Sequence, residues 1–180
     1  MTTKGTHACP GVLGGVQWNG PAYHPGTNLL VVPAVEMCAT FFLDDTVRFI
    51  PGQLYMGGRV VNDTAWRGWL TAVDASTGKV RWKYESKAPM IAAVTTTAGA
   101  VLFAGEIGGD FLALDAASGA VRYRFNTGGP MGGGIVTYES GGTQYVAAAS
   151  GRPSGYWTRQ HPGSPTIVVF ALPKGTGGRP

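Results

Sequence analysis

Short runs of alternating apolar and polar residues cover most of this chain, and such alternation is typical of β-strands. From residue 68 to 74, Leu70 and Ala72 fall on one face of an extended chain and Trp69 on the other. Residues 75–78 read as a tight turn, in which Gly78 supplies a positive φ angle. The return strand follows over residues 79–85, with Trp82 on its apolar face. The pattern predicts a β-hairpin.

This hairpin is repeated. Residues 68–84 return as residues 109–125, at a constant offset of 41 residues and without a gap. Two further strands are predicted between the hairpins, over residues 90–97 and 100–105. Four short strands at a fixed period near 40 residues are the content of one β-propeller blade. We therefore predict an all-β fold with blade-like repeats at about 68–108 and 109–150.

The rest of the chain extends this pattern less regularly. Strands are predicted over residues 134–138, 144–149 and 166–172, and nearer the start over 16–23 and 29–34. One or two more are expected within residues 39–60, and residues 173–180 read as a flexible tail.

Together these strands make about three four-stranded blades within residues 1–172, which is a partial propeller. Closed propellers have four or more blades, and open sheet edges are a liability. Partner copies, or the remainder of a longer polypeptide, are expected to supply the missing blades.

Composition excludes several classes of function. Charged residues make up 13% of the chain, about half the usual ~25%, and 29 of the 180 residues are glycine. The net charge of +4 is scattered, without the basic stripe that a nucleic-acid partner requires. No apolar run reaches the ~18 residues needed to span a membrane. The first residues lack the apolar region of a signal peptide, so no export signal is expected from them.

Two cysteines, Cys9 and Cys38, are separated by 29 residues. A disulfide between them would close a loop and require an oxidising compartment. Two buried thiols are the equally simple alternative, and spacing alone does not decide between them.

The hairpin over residues 72–82, with its sequence Ala-Val-Asp-Ala-Ser-Thr-Gly-Lys-Val-Arg-Trp, resembles the tryptophan-docking repeat of the eight-bladed quinoprotein dehydrogenases. Those enzymes oxidise alcohols with pyrroloquinoline quinone (PQQ). The resemblance implies that Trp82 docks between neighbouring blades and that Tyr123 takes its place in the second copy. Non-catalytic scaffold propellers, such as outer-membrane assembly lipoproteins, carry similar hairpins, so the repeat alone leaves both classes open.

A second segment, residues 9–25, resembles the methanol and ethanol branch of these dehydrogenases. It has a Cys-Pro, a Gly-Gly and then Gln17-Trp18, where the family has an Asn-Trp pair lining the cofactor cavity. Gln17 keeps the amide but is longer by one methylene. Trp18 would stack on a flat quinone, whereas without the resemblance a core tryptophan is the simpler interpretation. The resemblance also implies that Cys9 and Cys38 form a disulfide.

Residues 137–151 and 169–173 resemble the last strands of the family, so the likeness corresponds to its C-terminal third. A Gly-Trp-Gly stretch of the family is replaced here by residues 151–153, Gly-Arg-Pro. Arg152 could bind a cofactor carboxylate, and a solvated arginine is the alternative.

The resemblance implies a periplasmic or secreted alcohol dehydrogenase with PQQ and calcium as cofactors and a small alcohol as substrate. The family's catalytic aspartate and calcium ligands lie in preceding blades, so no catalytic or metal-binding residue is assigned in this chain. We expect little or no activity from it alone. A non-catalytic β-propeller scaffold or binding module is the alternative function.

Overall fold

The computed structural model describes residues 1–152, 155–157 and 163–172, and over this part of the chain it is all-β. This confirms the predicted fold class. Over these ranges the structure contains no helix long and apolar enough to cross a membrane. The strands are β1 (Thr6–Ala8), β2 (Ala22–His24), β3 (Leu29–Leu43), β4 (Gly58–Asp74), β5 (Val80–Ser86), β6 (Thr95–Thr96), β7 (Val101–Gly105), β8 (Asp110–Asp115), β9 (Val121–Asn126), β10 (Ile135–Ser140), β11 (Thr143–Ser150) and β12 (Thr166–Ala171).

The strands form three antiparallel sheets. The first has the order β1-β3-β4-β5, with β2 paired to β3 beside β1. The second has the order β6-β7-β8-β9, and the third has the order β10-β11-β12. The sheets are therefore three successive blade-like units of five, four and three strands, where the sequence predicted four strands in each.

The sequence repeat is out of phase with these sheets. Its hairpin corresponds to β4–β5 in the first sheet and to β8–β9 in the second. Each hairpin is thus the last pair of strands in its own sheet, and each contains a register shift, between Ala72 and Val73 and between Ala113 and Leu114. The repeated hairpin therefore corresponds to the last two strands of a blade unit and not to its start.

Two predicted strands are wrong in extent. Residues 16–21 are turns rather than strand, and β2 covers only Ala22–His24. Residues 90–94 are likewise irregular, and β6 covers only Thr95–Thr96. Backbone bonds outside a regular ladder occur there; for example, Ala93 donates to the Gly133 carbonyl at 3.0 Å. In the second stretch Met90, Ile91 and Ala92 are buried between sheets, whereas Val16 and Trp18 of the first stretch are exposed.

Two apolar cores join the sheets. The first lies between the first and second sheets and is built from alternate residues of β3, β4, β7 and β8, together with Trp82 and Met90. The second lies between the second and third sheets, where Phe111 stacks on Phe170 with ring centroids 4.3 Å apart. Because each sheet buries one face against each neighbour, the sheets stack as propeller blades do.

One element was not expected. β3 and β4 continue past the blade as a long hairpin, paired from Leu29↔Asp74 to Leu43↔Gly58 with a shift between Met37 and Ala39. Residues 44–57 connect the two strands, and most of their apolar side chains are exposed. Sequence reasoning placed one or two separate strands here, because the apolar Phe41–Leu43 stretch reads as a strand centre.

Candidate functional site

The segment that carries Gln17 and Trp18 is fixed to the inner end of the first sheet. Gly11 and Gly15 donate backbone hydrogen bonds of 2.7 Å each to the carbonyls of Met37 and Val35. The Gln17 amide Nε2 donates to the Leu13 carbonyl at 2.8 Å, within the same segment. The donor end of this amide therefore holds its own turn and does not point outward.

The Trp18 side chain, unlike that of Gln17, faces solvent. Trp18 is 69% exposed, although it lies between the partly buried Gln17 and Asn19 in the folded part of the chain. A tryptophan buries a large apolar area when it can, so a ring left open on an anchored turn provides a free aromatic face. This position argues against the simpler interpretation of Trp18 as a core residue.

Asn19, which sequence reasoning missed, ties this turn to the second blade unit. Its Nδ2 donates to the Ala92 carbonyl at 2.8 Å and lies 3.4 Å from the Met90 carbonyl. Its Oδ1 is buried and accepts no hydrogen bond from the described part of the chain. The Asn-Gly-Pro sequence after Trp18 indicates a turn. It does not indicate that the Asn19 side chain binds the carbonyls of Met90 and Ala92.

The turn lies beside a cluster in which the three sheets converge. Val35 and Met37 of the first sheet pack with Ile91, Ile107 and Trp157, and Leu13 lies against this group. Trp157 follows the third sheet's central strand and is buried. No motif pointed to it. Through Leu13, the segment that carries Trp18 is therefore packed against residues of all three blade units.

Arg152 stands apart from Gln17 and Trp18. It directly follows Gly151, whose amide donates to the Pro130 carbonyl at 2.9 Å at the end of β11, and its side chain is exposed. No hydrogen bond described here joins Arg152 to either residue. The structure thus brings Gln17 and Trp18 together with Asn19 and leaves Arg152 on another sheet; Pro153 lies outside the described residues.

A disulfide joins Cys9 and Cys38, whose Cα atoms are 4.4 Å apart. It connects the segment before Gln17 to β3, and so gives that segment a covalent anchor in addition to its backbone hydrogen bonds. The pairing is the one implied by the family resemblance. His7 lies close to both sulfurs, but sulfurs joined to each other are not available as thiolate ligands. No other cluster of metal-ligating side chains occurs in the ranges that the structure covers.

Trp82 lies at the contact between the first and second sheets. Its indole Nε1 donates to the Ala116 carbonyl at 3.1 Å, and the side chain is buried. A Cβ added at Gly119, which has a φ of +73°, would lie 2.5 Å from Cε3 of the indole. The turn of the neighbouring blade unit therefore receives the ring and needs a glycine there. Tyr123, the equivalent residue, is half exposed and makes an edge contact with Phe170 at 6.2 Å.

A polar network crosses the same contact. The Tyr84 hydroxyl donates to Glu106 Oε1 at 2.7 Å and accepts from Arg124 Nη2 at 2.8 Å. Arg124 also pairs with Asp110. Burial, and then the bond to the Glu106 carboxylate, raise the pKa of Tyr84 to about 12. These groups satisfy one another, which fits a structural joint between blades.

Comparison with known proteins identifies the family. The model of the PQQ_2 repeat family, described as outer membrane protein assembly factor BamB, matches residues 55–166. The chain belongs to this PQQ-repeat family. The match spans more than half of the chain and includes both copies of the docking hairpin.

Relatives of the PQQ-repeat chain include a quinoprotein ethanol dehydrogenase from Pseudomonas putida, 33% identical over 160 residues, which cover 83% of this chain and 25% of the relative. The quinohemoprotein alcohol dehydrogenase from Comamonas testosteroni is 27% identical with a TM-score of 0.80, over 94% of this chain and 28% of that one. A europium-containing methanol dehydrogenase is 28% identical with a TM-score of 0.74, over 81% and 26%. The resemblance to quinoprotein alcohol dehydrogenases is confirmed, and the chain spans about a quarter of their length.

The described residues fit one part of a PQQ site. The open face of Trp18 suits stacking on a planar tricyclic quinone. PQQ is a tricarboxylate and needs cationic or N–H donors, yet the Gln17 amide donates to Leu13 and the orphaned Asn19 Oδ1 is an acceptor. Of the groups on this turn, the Trp18 ring fits a quinone and the two amides do not supply donors for its carboxylates.

Proposed function

We propose that this chain forms three blade units of a quinoprotein alcohol dehydrogenase and supplies the Trp18 wall of its PQQ cavity. The observation that carries the proposal is the exposed ring of Trp18, held on a turn that is anchored to β3 and to the stretch that enters the second sheet. The names of the relatives supply the cofactor class.

Within such a site, PQQ supplies the chemistry of accepting a hydride from the alcohol carbon. The residues of this chain do three things around it. Trp18 covers one face of the quinone and excludes water from it. Gln17 and Asn19 keep the turn in place through their hydrogen bonds. The Cys9–Cys38 disulfide fixes the start of the segment.

The base that takes the hydroxyl proton and the metal ligands come, in this proposal, from blades outside this chain. We therefore expect the chain to bind PQQ weakly and to turn over no alcohol by itself. Calcium is the metal that the family resemblance implies, and the europium-containing relative makes a lanthanide the second ion to test.

Titration of the purified chain with PQQ tests the proposal, with calcium or a lanthanide present. Binding is followed by equilibrium dialysis, and dye reduction with ethanol is followed in parallel. We expect saturable PQQ binding, weakened at least about tenfold in Trp18→Ala and retained in Trp18→Phe, with no dye reduction in any sample; stacking is worth about 0.5–1.5 kcal/mol beyond area burial. Equal binding by Trp18→Ala, or none by the wild-type chain up to millimolar PQQ, would contradict it.

A second function, a non-catalytic propeller scaffold, is favoured by the description of the matching family model. Failure of the wild-type chain to bind PQQ while it remains folded would select this alternative. Both functions require further blades, supplied by copies of this chain or by another polypeptide. We place the chain in the periplasm or outside the cell, because its disulfide needs an oxidising compartment. Finding both cysteines as free thiols in protein isolated under acid trapping would overturn that placement.

A further inference from the structure

We infer that Asn19 is the positioning residue for Trp18, so that the orientation of the aromatic wall is set from the second blade unit. The inference rests on the proposed function for its ligand, but its first test does not require PQQ. It also assigns the positioning of Trp18 to the amide that follows it, Asn19, and not to the amide that precedes it, Gln17. Gln17, which stands where the family has asparagine, holds its own turn, whereas Asn19 reaches across to another sheet.

The contacts of Asn19 define the direction of its amide. Both partners of Nδ2, the carbonyls of Ala92 and Met90, are acceptors only, so the donor end must face them. These carbonyls belong to the stretch between β5 and β6 that enters the second sheet. They are 73 and 71 residues away along the chain. Asn19 is therefore a long-range tie between the Trp18 turn and the neighbouring blade.

The other end of the amide shows what this tie costs. Oδ1 is buried without a partner among the described residues, and an unsatisfied buried acceptor costs about 1–3 kcal/mol. A smaller residue would remove that cost but would also remove the donor. In Asn19 the nitrogen makes two contacts while the oxygen makes none. We therefore assign the tie to the second blade unit to the N–H donor of the side chain.

Other ties to the second blade unit lie further along the chain on either side of Asn19. Leu13 packs in the cluster that holds Ile91 and Ile107, and the Thr96 hydroxyl donates to the Tyr23 carbonyl at 3.0 Å. The backbone bonds of Gly11 and Gly15 hold the segment to the first sheet, and the Gln17 side chain bonds within the segment. Trp18 itself is mostly exposed and does not anchor the turn. Asn19 is the side-chain tie to the second blade unit that lies next to Trp18. Without its contacts the turn would keep its other attachments but lose this adjacent restraint, so the indole would become more mobile.

Fluorine NMR on chain labelled with 5-fluorotryptophan tests this. The chain has five tryptophans, and loss of one signal in Trp18→Phe and in Trp82→Phe assigns the two that are needed. Asn19→Asp is isosteric but sets an oxygen against both carbonyls, and Asn19→Ala removes the donor without adding charge. In both variants we expect the Trp18 signal to shift and sharpen towards that of a freely moving indole, with the Trp82 signal unchanged. PQQ should bind about 2–10-fold more weakly, the range for one net hydrogen bond.

Asn28→Asp is the matched control. Asn28 lies in an exposed turn of the same sheet, where its amide contacts Tyr23 and Ser76, so the same change should leave Trp18 unaffected. An unchanged Trp18 signal in both Asn19 variants would overturn the inference, and so would equal movement of all five signals. If the wild-type chain binds no PQQ, the proposed function fails, while the Trp18 signal still decides whether Asn19 positions the ring.

Discussion

At the residue scale, contacts between blade units are made by single side chains that enter the turn of the next unit. The indole of Trp82 donates to the Ala116 carbonyl and lies against Gly119, where no side chain fits. Tyr123 occupies the equivalent position but is half exposed, with an edge contact to Phe170. The same sequence position therefore makes a strong contact in one blade unit and a weaker one in the next.

Replacement of these two residues should show the difference. Trp82→Ala removes a buried aromatic ring and its hydrogen bond, and should lower the free energy of unfolding by about 3–5 kcal/mol. Tyr123→Ala should cost less than half as much, because its ring is already partly in water. Urea unfolding monitored by circular dichroism measures both. Equal losses would show that the docking role is shared equally between the two positions.

Asp74 and Asp115, which precede the turns of the two repeated hairpins, offer a test of pH dependence. Asp115 accepts from the amides of Ala117 and Ser118, and the Arg122 guanidinium donates to it at 2.9 Å. The bond from Arg122, followed by those from Ser118, lowers the pKa of Asp115 to about 2. The unfolded value is about 3.9. Stabilisation by this carboxylate is therefore complete above about pH 4 and is lost as the pH falls towards 2.

Arg122→Gln should raise the pKa of Asp115 towards its ordinary range, because the largest cause of the shift is removed. A carboxyl carbon NMR titration measures it. Asp74 provides the control: its lowered pKa is due first to the Thr77 side chain, and Arg81 contributes least among the causes. Arg81→Gln should therefore move the pKa of Asp74 less than Arg122→Gln moves that of Asp115. A larger movement at Asp74 would contradict this account.

At the element scale, alternation and turn residues predicted the hairpins of the repeat well, because both signals are local. The paired strands β10 and β11 followed from the same signals. The prediction of strands over residues 16–21 and 90–94 was wrong in extent. Met90, Ile91 and Ala92 are buried by contacts between sheets that no period reveals, whereas Val16 and Trp18 are exposed on a turn. The Asn19 contacts were beyond sequence reasoning for the same reason: their partners are more than 70 residues away.

The long β3–β4 hairpin gives a prediction at this scale. Its connecting residues 44–57 expose Val47, Phe49 and Leu54, and few of their side chains pack against the blades. Replacing residues 44–57 by Asn-Gly joins Leu43 to Gly58 through a two-residue turn suited to paired strands. We expect the free energy of unfolding to change by no more than about 0.5 kcal/mol, measured in urea. A loss of several kcal/mol would show that this loop is part of the core.

At the scale of the whole molecule, the third sheet exposes a face that the second sheet buries. Gly105 pairs with Phe111, and Ala149 pairs with Ile167, at equivalent places in their sheets. Phe111 is 2% exposed and Ala113 is 7% exposed, because the third sheet covers them; Ile167 and Val169 are 65% and 50% exposed. None of the residues that the structure describes covers Ile167 and Val169.

This uncovered face predicts how the isolated chain behaves in solution. Ile167 and Val169 lie on one side of β12, and Val136 aligns with Val169 across β11, so the apolar side chains form a continuous row. Contiguous apolar surface of this kind drives association. Sedimentation velocity should therefore show association that increases with concentration, and Ile167→Lys with Val169→Lys should shift the distribution towards monomer. Gln53→Lys, which adds charge in the exposed 44–57 connection, should not. A wild-type chain that stays monomeric at high concentration would mean that the exposed face of the third sheet does not bind other copies.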